Sequence, residues 1–66
     1  MSVKMRFIGR DSHSRPVYQD DSGNLYKDTD PRSHVPPCLF TVDDMEGSPK
    51  KWFPGKVKLL PKRDTW

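Results

Sequence analysis

The first residues alternate: Val3-Lys4-Met5-Arg6-Phe7 places an apolar side chain at every odd position and a cation at every even one. A period of two is that of a strand with one buried face. The pattern therefore predicts Val3, Met5 and Phe7 facing inward, with Lys4 and Arg6 facing solvent. Gly55-Lys56-Val57-Lys58-Leu59 repeats the alternation between Pro54 and Pro61. It predicts a closing strand that turns Lys56 and Lys58 outward, with the prolines marking its limits.

Three further strands are expected between these two. Residues 15–20 and 24–29 are built around Val17, Tyr18, Leu25 and Tyr26, and Asp21-Ser22-Gly23 separates them. Three loop residues ending in glycine suit a type I turn closed by a bulge, since glycine tolerates positive φ. That register opposes Tyr18 to Tyr26 and predicts that their rings stack on one face. Asp11-Ser12-His13-Ser14 is a turn-forming cluster that ends the first strand. Residues 29–37 carry three prolines and offer too few amide donors for a central strand, so they are expected to form a surface crossing. Cys38-Leu39-Phe40-Thr41-Val42 is apolar and partly β-branched, the signature of a buried strand.

The fold class that follows is all-β: a meander of about five short strands, able to roll into a small, partly open barrel of the SH3-like type. A three-stranded sheet with one helical turn over residues 43–47 is the alternative. Sixty-six residues leave room for a single core, because a chain this short buries only about 60% of the surface its unfolded form exposes. Residues 1–61 form the expected domain and 62–66 a tail that Trp66 can dock. Only 32% of the residues are hydrophobic, so the aromatic side chains must supply most of the core.

Charge divides the chain more sharply than its net value of +3 indicates. Lys4, Arg6 and Arg10 lie at the start, and Lys50, Lys51, Lys56, Lys58, Lys62 and Arg63 lie at the end against Asp64 alone. Between them, residues 11–46 hold eight acids against Arg15, Lys27 and Arg32. If the first and last strands are neighbours, Lys4, Arg6, Lys56 and Lys58 form one cationic band, which attracts phosphate backbones or acidic protein surfaces. The plainer reading is a solvated strand face whose lysines keep an edge from aggregating. Lys50-Lys51-Trp52-Phe53 interleaves cations with aromatics, a combination suited to holding a nucleic-acid strand while stacking on its bases. Its plainer reading is that Trp52 and Phe53 anchor a core with few other large side chains.

Other chemistry is sparse. Cys38 has no second cysteine to pair with, which excludes an intramolecular disulfide and any Cys₂His₂ or Cys₄ zinc site. Cys38, His13 and His34 are the residue types of a thiol hydrolase or of a mixed zinc site. Their spacing matches no compact metal pattern, and apolar neighbours raise a thiol's pKa, so Cys38 reads as a small core residue. Asp20-Asp21-Ser22-Gly23-Asn24 lacks the alternating ligands and final glutamate of a calcium loop and reads as a turn. Asp43-Asp44-Met45-Glu46 could dock a basic partner or the chain's own basic tail, and otherwise is a solvated connection. No cofactor is expected. No apolar run approaches the ~20 residues that cross a bilayer, and residues 1–10 lack the apolar stretch of a signal peptide. The expectation is a cytoplasmic protein with no membrane partner, a monomer or weak dimer.

The run Phe7-Ile8-Gly9-Arg10-Asp11-Ser12, followed by Arg15-Pro16-Val17-Tyr18 and by Gly23-Asn24-Leu25-Tyr26-Lys27-Asp28-Thr29-Asp30-Pro31, resembles a group of short uncharacterised proteins encoded in bacterial mobile elements and genomes. It is also similar to small modules found beside large polyvalent proteins of phages and conjugative elements. The likeness covers residues 4–49 and departs at His13-Ser14 and again after Pro49, where this chain turns basic and aromatic. It implies provenance and a hairpin-rich start, with no site residues to carry over. The function expected from all this is a non-catalytic interaction module whose partner is a protein. The alternative is a nucleic-acid-binding domain that uses Lys4, Arg6, Lys50, Lys51, Trp52, Lys56 and Lys58. Catalysis is not expected, because no pair of titratable residues falls at a spacing that suggests acid, base or nucleophile roles.

Overall fold

The computed structural model describes residues 2–66. Its strands are β1 (Val3–Arg10), β2 (Pro16–Asp20), β3 (Leu25–Asp28), β4 (Leu39–Val42) and β5 (Val57–Leu60). They make one sheet in the order β4-β3-β2-β1-β5. β1 to β4 form an antiparallel meander, and β5 returns to lie parallel to β1. There is no helix among the described residues. Residues 43–47 form a tight turn in place of a helical one, closed by the Gly47 N–H on the Asp44 carbonyl at 3.0 Å and by Asp44 Oδ1 accepting the Glu46 N–H.

The β2–β3 hairpin has the expected register, with Tyr18 opposite Tyr26 and Gly23 at φ 89°. Asp20 secures its turn: Oδ1 accepts the N–H groups of Ser22 and Asn24, and the carbonyl accepts that of Gly23. The expected ring stack does not form. Asp20 donates its N–H to the Asn24 carbonyl, and the Tyr18–Tyr26 pair, two residues along each strand, is again a hydrogen-bonded pair, the wider of the two antiparallel spacings. Each tyrosine instead meets another ring edge to face, Tyr18 with Phe7 at 5.8 Å and Tyr26 with Phe53 at 5.3 Å.

β1 runs beyond its alternating segment. Its register slips between Phe7 and Gly9, where Gly9 takes φ 143° and a Cβ would stand 3.0 Å from Met45 Cε. A bulge of this kind bends its strand. Residues 50–53 then run along the outer edge of β4. The Thr41 N–H reaches the Lys51 carbonyl, the Lys50 N–H the Thr41 carbonyl, and the Phe53 N–H the Leu39 carbonyl, each at 2.8 Å. From Phe53, only Pro54, Gly55 and Lys56 lead to Val57 on the opposite edge, a span of at most about 14 Å. In a flat sheet that flank and β5 would stand five strand spacings apart, about 24 Å. The short link therefore requires a curled sheet, and because among the described residues β5 pairs only with β1, the curl does not close.

The concave side holds the core. Met5, Tyr18, Tyr26 and Leu39 are buried there, with Val3, Phe7, Phe53, Val57 and Leu59 packed against them. On the other side Val17, Lys27 and Val42 are also buried. Lys27 Nζ lies 2.7 Å from Asp11 Oδ2 and donates to the Gly47 carbonyl. The tail is bound to the body: the Asp64 N–H donates to Tyr18 Oη at 3.0 Å, Arg10 pairs with Asp64 at 2.7 Å, and the Trp66 indole N–H reaches the Ser14 carbonyl at 3.1 Å.

Candidate interaction surface

Alternation in β1 and β5, together with their pairing, places the cationic band. Lys4 lies directly opposite Lys58, Val3 opposite Val57 and Met5 opposite Leu59. Because the core takes Val3, Met5, Val57 and Leu59, the two lysines emerge side by side on the convex side. Arg6 follows on β1 between Gln19 of β2 and Leu60 of β5. Lys56 stands one step before β5 and is held there by its carbonyl, which accepts the Val3 N–H at 2.9 Å. All four cations are exposed. Among the described residues none of them forms an ion pair, whereas Arg10, Lys27, Arg32, Lys50 and Arg63 each have a carboxylate partner. Asp20 and Asp21 share a shallow depression with Lys4 at one end of the band without pairing with it. Directly opposed like charges cost stability when nothing neutralises them.

Lys50, Lys51 and Trp52 are elsewhere, on the β4 flank. Lys50 is paired with Asp43 at 2.6 Å. Phe53 turns into the core against Tyr26, and Trp52 faces outward with 57% of its surface exposed. The seven candidate residues thus fall into two groups, the band on β1 and β5 and the segment beside β4. Only the Pro54-Gly55 link and the curl of the sheet bring them near each other.

The alternation of β1 and β5 does not indicate what lies next to the band. A groove of about 510 Å³ runs beside β5, lined by Pro36, Pro37, Gly55, Val57, Leu59 and Arg63. Arg63 builds its far wall by donating to the carbonyls of Val35 and Arg32, and its guanidinium stands 3.7 Å from Asp28 Oδ2. Burial pushes the Asp28 carboxyl above its ordinary pKa, against the N–H groups of Asp30 and Cys38 that bond its Oδ1 and the attraction of Arg63. The run of prolines was the one available signal for this wall, since Pro36 and Pro37 carry no N–H with which to pair to β5 and complete a barrel.

His13, His34 and Cys38 do not converge. Among the described residues no three His, Cys, Asp or Glu side chains are grouped as metal ligands, and Cys38 is half-buried beside Asp28, which accepts its backbone N–H. Of the acidic cluster, Glu46 accepts the Ser12 N–H at 2.9 Å, and that bond holds its carboxyl below the usual range. No helix is long and apolar enough to cross a membrane among the described residues. Compared with protein-family models, curated proteins and solved structures, the chain matches none.

Proposed function

We propose that this chain is a non-catalytic interaction module that binds an acidic partner protein through the band of Lys4, Arg6, Lys56 and Lys58. One observation carries the reading: the register sets Lys4 against Lys58, and the band is left without carboxylate partners while Lys27, buried farther along the same side of the sheet, is paired with Asp11. A surface that keeps like charges adjacent is stabilised when an anionic partner covers it. The resemblance to short mobile-element proteins supports placing the module in the cytoplasm of a bacterium, in the service of such an element.

A second reading, nucleic-acid binding, is favoured by the exposed Trp52 beside Lys51. One experiment separates the two. Poly-glutamate and a mixed-sequence DNA duplex are titrated in turn into the labelled protein at about 50 and 200 mM salt, a range over which phosphate contacts lose orders of magnitude in affinity. The acidic-protein reading expects poly-glutamate to shift the amide resonances of Lys4, Arg6 and Lys58. Lys56→Glu together with Lys58→Glu abolishes those shifts while the melting temperature stays within about 4 °C, the effect of a surface change near 0.5 kcal/mol. The nucleic-acid reading instead expects DNA to quench Trp52 fluorescence with a steep salt dependence. If neither polymer moves the band resonances at low salt, the band is a solvated edge and the proposal fails.

A further inference from the structure

The band lies beside a strand whose second edge is open. In the parallel register of β1 and β5, the Val3 N–H bonds to the Lys56 carbonyl, and the evenly spaced bonds of a parallel pair then engage alternate residues of β5 with β1. Those residues are Lys56, Lys58 and Leu60. The N–H and C=O groups of Val57 and Leu59 consequently point away from β1 into the groove, and no bond to them forms among the described residues. Across the groove stand Pro36 and Pro37, which supply apolar surface and no amide donor.

We infer that β5 accepts an extended acidic peptide as a sixth strand, laid in the groove between Val57-Lys58-Leu59 and the Pro36-Pro37 wall. This deepens the reading given above and rests on it. The side chains on an added strand follow from the alternation of β5. Residues facing the convex side would sit beside Lys56 and Lys58, within the 4.5–5.5 Å that separates cross-strand Cβ atoms, and are acidic. Residues between them would face the groove against Val57, Leu59 and the prolines, and are apolar. The expected motif is therefore an alternation of Asp or Glu with Val, Ile or Leu over four or five residues. A second copy of this chain is a poor occupant, because pairing β5 with β5 would oppose lysines to lysines. A nucleic-acid strand cannot offer alternating N–H and C=O groups to Val57 and Leu59, and strand addition draws its affinity from those main-chain bonds.

The test uses the whole protein and an acetylated, amidated octapeptide alternating Glu and Val, with two derivatives N-methylated either at every Val or at every Glu. Within an added strand only one alternate set of N–H groups faces β5. Strand addition therefore predicts that one derivative weakens binding by about tenfold or more and the other leaves it nearly unchanged. Loss on Val methylation marks an antiparallel guest and loss on Glu methylation a parallel one. Amide exchange at Val57 and Leu59 slows in the complex, whereas Lys58, already bonded to β1, changes little. Equal sensitivity of the two derivatives, or unchanged exchange at Val57 and Leu59 while the Lys4 and Lys58 resonances still shift, overturns strand addition and leaves the electrostatic reading standing. If the peptide shifts no band resonance at low salt and poly-glutamate shifts none either, both fall together.

Discussion

Lys27→Met tests how the domain uses charge in its interior. Lys27 is buried on β3, its ammonium 2.7 Å from Asp11 Oδ2 and 2.8 Å from the Gly47 carbonyl. Asp11 Oδ1 in turn accepts the N–H groups of His13 and Arg15 at 2.9 and 2.8 Å. One cation thus joins the turn after β1, the hairpin strand and the turn after β4. Methionine keeps most of the stem and removes the ammonium. Asp11 Oδ2 is then buried without a partner, and the Gly47 carbonyl loses its donor. Removing one side of a buried pair costs about 3–5 kcal/mol. The low end, about 3 kcal/mol, applies here because Oδ1 keeps its two backbone donors, and for a domain of this size it corresponds to a fall of about 12–24 °C in melting temperature. A chain of 66 residues holds about 3–10 kcal/mol in all, so the loss is a large part of its stability.

The same variant makes a prediction about pH. Burial pushes the Asp11 carboxyl upward, but Lys27 and the N–H groups of Arg15 and His13 outweigh it and leave the pKa below the ordinary value. The unfolded chain therefore takes up a proton at higher pH than the folded one. The stability Asp11 contributes is present above the unfolded pKa and is lost as pH falls through the folded pKa. Without Lys27 the effect of burial is no longer outweighed to the same extent, the folded pKa rises, and protonation relieves the variant. Urea unfolding of both proteins, followed by tryptophan fluorescence, should show a difference of about 3 kcal/mol at pH 7 that narrows towards pH 3. A difference under about 1 kcal/mol at pH 7, the size of an ordinary neutral hydrogen bond, or one that does not change with pH, would refute this account of the pair.

Gly23→Val should cost about 1–2 kcal/mol, since a branched residue resists positive φ. A Cβ there meets nothing within 4 Å, so the loss is one of backbone conformation alone, and an unchanged melting temperature would count against the turn as described. Arg63→Met removes the two bonds to the Val35 and Arg32 carbonyls and the cation facing Asp28, about 1.5–3 kcal/mol for bonds from a charged donor. Hydrogen exchange should quicken in residues 32–38 while the β2–β3 hairpin keeps its protection, and equal exchange throughout would show that Arg63 does not hold the proline wall.

Strands with one face on the core and one in water were readable from their alternation, which is why β1 and β5 and the outward direction of Lys4, Arg6, Lys56 and Lys58 could be assigned from residue order. Alternation specifies faces and says nothing about neighbours, so the adjacency of β1 and β5 could be stated only as a condition. Lys27 was unreadable for a related reason. A lysine within a hairpin strand looks solvent-facing until Asp11 and the Gly47 turn are brought to it by contacts distant in sequence. Trp52 and Phe53 are equally apolar neighbours. Which of them enters the core is decided by the register of residues 50–53 on β4, where the Phe53 N–H meets the Leu39 carbonyl. Arg63 lies in a short polar stretch with no periodicity, and its value to the groove comes from two carbonyls in a proline-rich loop.

The charge segregation of the chain acquires a physical sense once the acids are followed to their partners. Asp11, Asp28, Asp30, Asp43 and Asp64 face Lys27, Arg63, Arg32, Lys50 and Arg10. Asp20, Asp44 and Glu46 accept backbone N–H groups that hold turns in place. Nearly every carboxylate of the acidic middle is therefore engaged in closing a loop or fixing the tail, and Asp21, at the hairpin tip, is left near one end of the band. Moving Asp11, Asp20, Asp44 or Glu46 to shield Lys58 would remove the acceptor of turn N–H groups, a loss for which the small core has little energy to spare. Lys4, Arg6, Lys56 and Lys58 stay unpaired while most carboxylates of the acidic middle are committed to structure. A partner that brings its own carboxylates to β5 gains electrostatic attraction without competing against an internal ion pair, and this distinguishes the β5 edge from the β4 edge, where residues 50–53 already occupy the backbone and Asp43 already holds Lys50.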